Sequence, residues 1–246
     1  MITPRITLAV AGRVLRQLHH DPRTVALLIA VPSLLVVLLR FLFDGRPAQF
    51  DLVGPPLVGL FPLISMFLVS SITVLRERTT GTLERLLTMP LGKLDLLVGY
   101  GLAFAAVAAL QAGITSGIAF CALGLDVAGS PWAVAALAVG NALLGMALGL
   151  LVSAFAATEF QAVQFMPAFV LPQLLLCGLL VPRAQMAGWL DAVAGALPMS
   201  YAYDSLHRLA VDGALGDGGT IDVAVIAGAI ALALALGAVT LRRRTA

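Results

Sequence analysis

Residues 75–96 read L-R-E-R-T-T-G-T-L-E-R-L-L-T-M-P-L-G-K-L-D-L, a charged interruption between two apolar stretches that are each long enough to cross a bilayer. Thr80 or Thr82 can accept a backbone N–H and so start a helix. Leu83, Leu86 and Leu87 then share one face, while Glu84 and Arg85 lie toward the other. Gly81 permits a sharp change of direction before the turn, and Pro90 stops the helix after it. The spacing predicts a short amphipathic helix over 82–89. Two turns of helix do not hold together alone in water. They become useful when their leucines fill a groove on a partner. A loop helix resting on the bilayer surface fits the same residues.

Outward from this stretch the chain is apolar. Of its 246 residues 60% are hydrophobic and 11% are charged; soluble domains carry roughly 25% charged residues. So little charge cannot cover a water-facing surface, which places the chain in lipid. A bilayer core takes roughly 20 apolar residues per helix. Six stretches qualify: 24–43, 53–75, 96–125, 133–156, 163–181 and 221–241. None alternates apolar and polar residues as barrel strands do. The expected fold class is an all-α membrane protein forming one transmembrane domain over 1–246, without room for a separate soluble domain.

Lys and Arg set the orientation. Eleven lie in 1–23, in 76–95 and in the tail; Arg46, Arg183 and Arg208 lie on the other side, and Arg40 lies within the first span. Both termini and the 76–95 loop are therefore expected to be cytoplasmic, in a multi-pass protein of the plasma or inner membrane. The first span is too long for a cleaved signal and lacks a small-residue cleavage pattern. Before it, Ile6, Val10, Val14 and Leu18 recur every four residues, with Arg5, Arg13, Arg16 and Gln17 on other faces. That pattern predicts an interfacial helix over 3–20, ended by Asp21-Pro22.

Several chemistries are excluded by missing motifs. The single lysine, Lys93, sits in Leu91-Gly92-Lys93-Leu94, without the glycine spacing or following Ser/Thr of a phosphate-binding loop. No HExxH or GxSxG run occurs, and Cys121 and Cys177 lie in apolar stretches without metal or disulfide spacing. No catalytic residue, metal site, cofactor or nucleic-acid partner is expected in this chain. Intramembrane acids of the kind that carry protons are also missing, which argues against a proton-coupled carrier.

The run Arg76-Glu77-Arg78-Thr79-Thr80-Gly81-Thr82-Leu83-Glu84-Arg85-Leu86-Leu87-Thr88-Met89-Pro90 resembles the coupling segment of ABC-2 type permeases, the membrane subunits of one class of ATP-binding-cassette exporters. A second segment agrees: Pro172, Gly178, Pro182, Met186, Trp189, Leu190, Pro198 and Tyr201 are similar to the family's pattern after its fifth span. Ala187 and Cys177 depart from it, where proline and serine are usual. The resemblance covers essentially the whole chain and is nearest to the drug and antibiotic exporters of daunorubicin-resistance type.

The resemblance implies six spans, an interfacial helix, a cytoplasmic coupling helix and a re-entrant segment over 183–219. It implies contact with an ATPase through Glu77, Gly81, Thr82, Leu83, Glu84, Arg85, Leu86 and Leu87, with Glu159 as a second contact. The second and fifth spans would line the substrate path through Phe61, Met66, Phe67, Phe165, Met166, Phe169 and Gln173, though packing against lipid or core also fits any one of them. Pro182, Met186, Trp189 and Pro198 would form the re-entrant gate. The implied partners are a nucleotide-binding ATPase subunit carrying ATP and Mg, a second permease chain, membrane lipid and a hydrophobic small molecule. A lipid or glycan-lipid exporter stays open, as does an ATPase-independent scaffold or an intramembrane enzyme.

Overall fold

The computed structural model describes residues 3–81 and 93–240, and every regular element among them is helical. In chain order these are α1 (Pro4–His19), α2 (Pro22–Leu42), α3 (Pro47–Thr79) and α4 (Lys93–Gly117), the last prolonged by a π turn, Ile118–Ala122. There follow α5 (Pro131–Ser153), α6 (Glu159–Leu176), a 3-10 turn (Arg183–Gln185), α7 (Gly188–Ala196), α8 (Pro198–Val211) and α9 (Gly216–Thr240). The all-helical fold class read from the sequence is the one found.

Local chemistry explains where the helices begin. Pro4, Pro22, Pro47, Pro131 and Pro198 each open a helix, at the position where a missing N–H costs nothing and the fixed φ already suits the helix. Asp21 caps α2, accepting the Thr24 N–H at 3.2 Å and the Thr24 hydroxyl at 2.7 Å. Thr158 caps α6 by accepting the Gln161 N–H at 3.2 Å.

Five described helices are long and apolar enough to cross a membrane: those over 22–42, 47–79, 98–122, 131–153 and 216–237. The stretch expected as a fifth span, 163–181, is held by α6 and the irregular chain after it. α6 is 18 residues long. It carries Gln161, Gln164 and Gln173 and is not among the five. α3 has 33 residues, about 50 Å of helix against a hydrocarbon core of about 30 Å. Arg76, Glu77 and Arg78, read from the sequence as loop, are therefore its last turns.

The bundle is built around α3 against α5. A Cβ on Gly145 would stand 2.0 Å from the Leu63 carbonyl oxygen, and one on Gly149 2.3 Å from that of Phe67. Hydrogen at these positions lets the two backbones touch, the close approach that small residues give helices in lipid. The Ser70 hydroxyl donates to the Met146 carbonyl across the same seam at 3.1 Å. Gln111 donates to the Leu28 carbonyl at 2.9 Å, so a buried amide also ties α4 to α2.

At one end of the bundle lie α7 and α8, of nine and 14 residues, each too short to cross a bilayer. Arg183 binds Asp191 of α7 at 2.9 Å and Asp204 of α8 at 3.4 Å. Arg208 pairs at 3.1 Å with Asp222, whose side chain is almost fully buried at the start of α9. The opposite end gathers α1, the start of α2, the end of α3, the start of α4, the end of α5 and the start of α6.

Candidate functional site

At that second end ion pairs and hydrogen bonds tie several helices together, and α1 is at their centre. Arg13 of α1 pairs with Glu77 of α3 and also donates to the Tyr100 hydroxyl of α4 at 3.2 Å. Glu77 is 3% exposed. Six residues from Arg13, the Thr7 hydroxyl donates to Asp95 of α4 at 3.0 Å, and the Thr3 N–H donates to the same oxygen at 2.6 Å. Asp95 is buried as well. Val10 and Val14, on the face of α1 between these contacts, sink into the core beside Tyr100 and Phe104. The amphipathic pattern of the N-terminal residues thus becomes a helix packed on α4, with its polar groups bound to the ends of two other helices.

The geometry matters because of what Glu77 and Asp95 flank. Glu77 stands four residues before Gly81, where α3 ends with φ +70°, a left-handed conformation that glycine takes without strain. Asp95 stands in the first turn of α4. α1 is therefore bonded to both arms from which residues 82–92 depart. Thr82, Leu83, Glu84, Arg85, Leu86 and Leu87, with the coupling helix expected over 82–89, lie outside the described residues.

Two more contacts brace the end of α3. Arg78 donates to the Ser153 carbonyl at the end of α5. Arg76 forms a forked pair with Glu159 of α6, with Nε–Oε1 at 3.0 Å and Nη2–Oε2 at 3.2 Å. The Arg76 hydrogen bonds hold the Glu159 carboxyl below the usual carboxylate range. The last turns of α3 thus touch α1, α5 and α6, and reach α4 through Arg13.

The residues expected along a substrate path are divided. Met66 and Phe67 are fully buried inside the protomer, against α4–α5 and α5–α6–α8 respectively. Phe61, Phe165 and Met166 are half-buried, and Phe169 is exposed. Gln173 is buried and donates to the Phe169 carbonyl at 3.0 Å. These residues do not share one open face within the protomer, because α3 turns its 66–67 side to α5. Of the expected gate residues, Pro182 precedes the 3-10 turn, Met186 follows it, and Pro198 opens α8. Trp189, on α7, is 70% exposed.

Sequence reasoning overlooked Arg13, Thr3, Thr7, Asp95 and Tyr100 as a connected set. Local sequence carries no signal for this set, because Thr3 binds Asp95 through its backbone N–H and the Thr7 partner lies 88 residues away.

Residues 6–209 match the ABC-2 type transporter family. The chain belongs to that family. ABC-2 chains are the membrane subunits of ABC transporters and are not themselves the ATPase. Over 160 residues this chain is 32% identical to the probable multidrug ABC transporter permease YbhR of Escherichia coli (strain K12), covering 64% of this chain and 43% of that protein. It is 27% identical over 155 residues to the linearmycin resistance permease protein LnrN of Bacillus subtilis (strain 168), covering 63% and 40%. It is also 24% identical over 171 residues to ABC transporter G family member 20 of Dictyostelium discoideum, covering 69% and 23%. The chain spans less than half the length of these curated relatives.

Proposed function

We propose that this chain is the permease subunit of an ATP-driven exporter of hydrophobic or amphipathic small molecules. Residues 82–89 rest on a separate nucleotide-binding subunit that carries ATP and Mg, and a second permease chain completes the pathway. Both termini and the 76–95 loop face the cytoplasm in this reading. Support for the substrate class comes from the relatives named for multidrug and linearmycin resistance.

The observation that carries the coupling role is the pair of ties from α1 to Glu77 and Asp95. A push on residues 82–92 acts at Gly81 and at the start of α4. α1 joins those two points, so they move as one body and not as a slack loop. The displacement then passes along α3, whose backbone touches that of α5 at Gly145 and Gly149. The bias for this motion must come from the difference in binding energy between ATP-bound and free states of the ATPase.

The test is export by a chain carrying Glu84→Arg with Leu86→Asp. The variant should insert into the membrane at the normal level and lose export. Unchanged export would remove the coupling role from 82–89.

A further inference from the structure

A groove of about 470 Å³ opens on the protomer's flank between α2 and α3, within the roughly 300–1,000 Å³ of sites that hold drug-sized ligands. Its walls are apolar, with Leu28 and Val31 from α2 facing Leu68 and Ile72 from α3. Leu27 at 62% exposure and Val31 at 45% mark its open side. Polar groups close one end: Asp21, Thr24, Arg76 and Glu159.

The charges at that end are unbalanced. Arg76 is engaged by both oxygens of Glu159. Asp21 accepts hydrogen bonds from Thr24 and forms no ion pair within 4 Å among the described residues. Its hydrogen bonds to Thr24 hold the carboxyl below its ordinary range, so it stays ionised. Arg23, next in the chain but one, does not line the groove. Two carboxylates, Asp21 and Glu159, thus share one guanidinium, Arg76, in the groove's lining, which leaves the head of the apolar trough net negative. Arg76 and Arg23 act on Asp21 through the field and not by a direct pair. From Asp21 to Val31 the trough runs about 15 Å along α2, the reach of one extended alkyl tail.

We propose that this groove binds a single-tailed cationic amphiphile from the leaflet beside it, the ammonium head against Asp21 and the tail along Leu28, Val31, Leu68 and Ile72. This deepens the export reading by naming a substrate class. It rests on that reading only for placing the groove in the cytoplasmic leaflet.

The experiment is equilibrium binding of radiolabelled dodecyltrimethylammonium to the full chain in phosphatidylcholine nanodiscs, with empty nanodiscs subtracted and dodecyl sulfate as the anionic control. The expected result is saturable binding of the cation and only bulk partitioning of the sulfate. Asp21→Asn, which keeps a good helix cap, should weaken cation binding about 3- to 10-fold. Glu159→Gln frees Arg76 and should shift preference toward the sulfate. Val31→Trp fills the trough and should abolish saturable binding.

Equal binding of both amphiphiles, or cation binding indifferent to all three variants, overturns the proposal. So does a groove occupied by a second copy of the chain, which would appear as no saturable binding together with dissociation of Val31→Trp to a smaller species. The assay needs neither ATP nor the ATPase. Its failure therefore leaves the coupling role standing, and a failure of coupling leaves this binding intact.

Discussion

Arg13 of α1 forms an ion pair with Glu77, which lies 64 residues further on at the end of α3 and is 3% exposed. Such a pair gives little net stability compared with apolar residues of equal volume, but breaking it from one side leaves a buried charge uncompensated. Arg13→Ala, which strands the buried Glu77 carboxylate, should therefore cost about 3–5 kcal/mol. Glu77→Ala should cost less, because the Arg13 side chain is 30% exposed and keeps Tyr100 as a partner. Arg13→Met with Glu77→Leu should recover most of the loss. Thermal unfolding in one detergent, with the double-mutant cycle, checks this. The apolar double variant should remain stable yet show weaker stimulation of ATP hydrolysis by substrate, since the directional tie is gone.

The α3–α5 seam makes a second prediction. Gly145→Val and Gly149→Val place atoms where the Leu63 and Phe67 carbonyls stand. Overpacking of this kind costs about 1–3 kcal/mol or more, here with backbone on both sides. Both variants should lose monodisperse behaviour on size-exclusion chromatography. Gly140→Val, with open space around the added Cβ, is the control that should behave as wild type.

Glu159 gives a pH dependence of definite sign. Its folded carboxyl titrates below its unfolded value because Arg76 binds the charged form. The pair's stabilisation is therefore present above the unfolded value, about 4.3, and lost as pH falls through the folded one. Both side chains are about half exposed, so the gain stays below ~1 kcal/mol. The difference in melting temperature between wild type and Glu159→Gln should shrink to nothing as pH drops through that range.

Asp204 at the other end has the opposite sign. Burial pushes its carboxyl up, against the pull of Arg183. Its contribution is fully present below about 3.9 and is lost as pH rises through the folded value. Asp204→Asn should flatten the pH profile of unfolding on that side, measured at fixed ionic strength.

Much of this architecture is legible in the sequence because lipid imposes helices on long apolar runs. Prolines then mark five of the helix starts, and Gly81 marks the end of α3. The extent of α3 is harder to read. Its last turn carries Arg76, Glu77 and Arg78, and charge in a hydropathy reading looks like loop, whereas the backbone continues its own hydrogen bonds until Gly81. α6 is harder again. Three glutamines dilute its apolar character, and a thermodynamic reading of composition alone cannot say how deep it sits. The candidate site is legible only in part. Arg76 and Glu77 lie in a recognisable segment, but α1's grip on Glu77, Tyr100 and Asp95 depends on contacts separated by 64 to 92 residues. No local pattern encodes pairings at that distance. Nor could the aromatic and methionine pattern tell Met66 and Phe67, packed against α5, from Phe169, which faces outward.

The measurement that bears most directly on the coupling role is vanadate-sensitive ATP hydrolysis by the chain purified gently from its native membrane with whatever it retains. The account predicts that an ATPase co-purifies with the wild type and is lost with Leu86→Asp, while Gly140→Val retains it. A chain that emerges alone and inert from several mild detergents, or a Leu86→Asp variant that keeps its full ATPase, would contradict it.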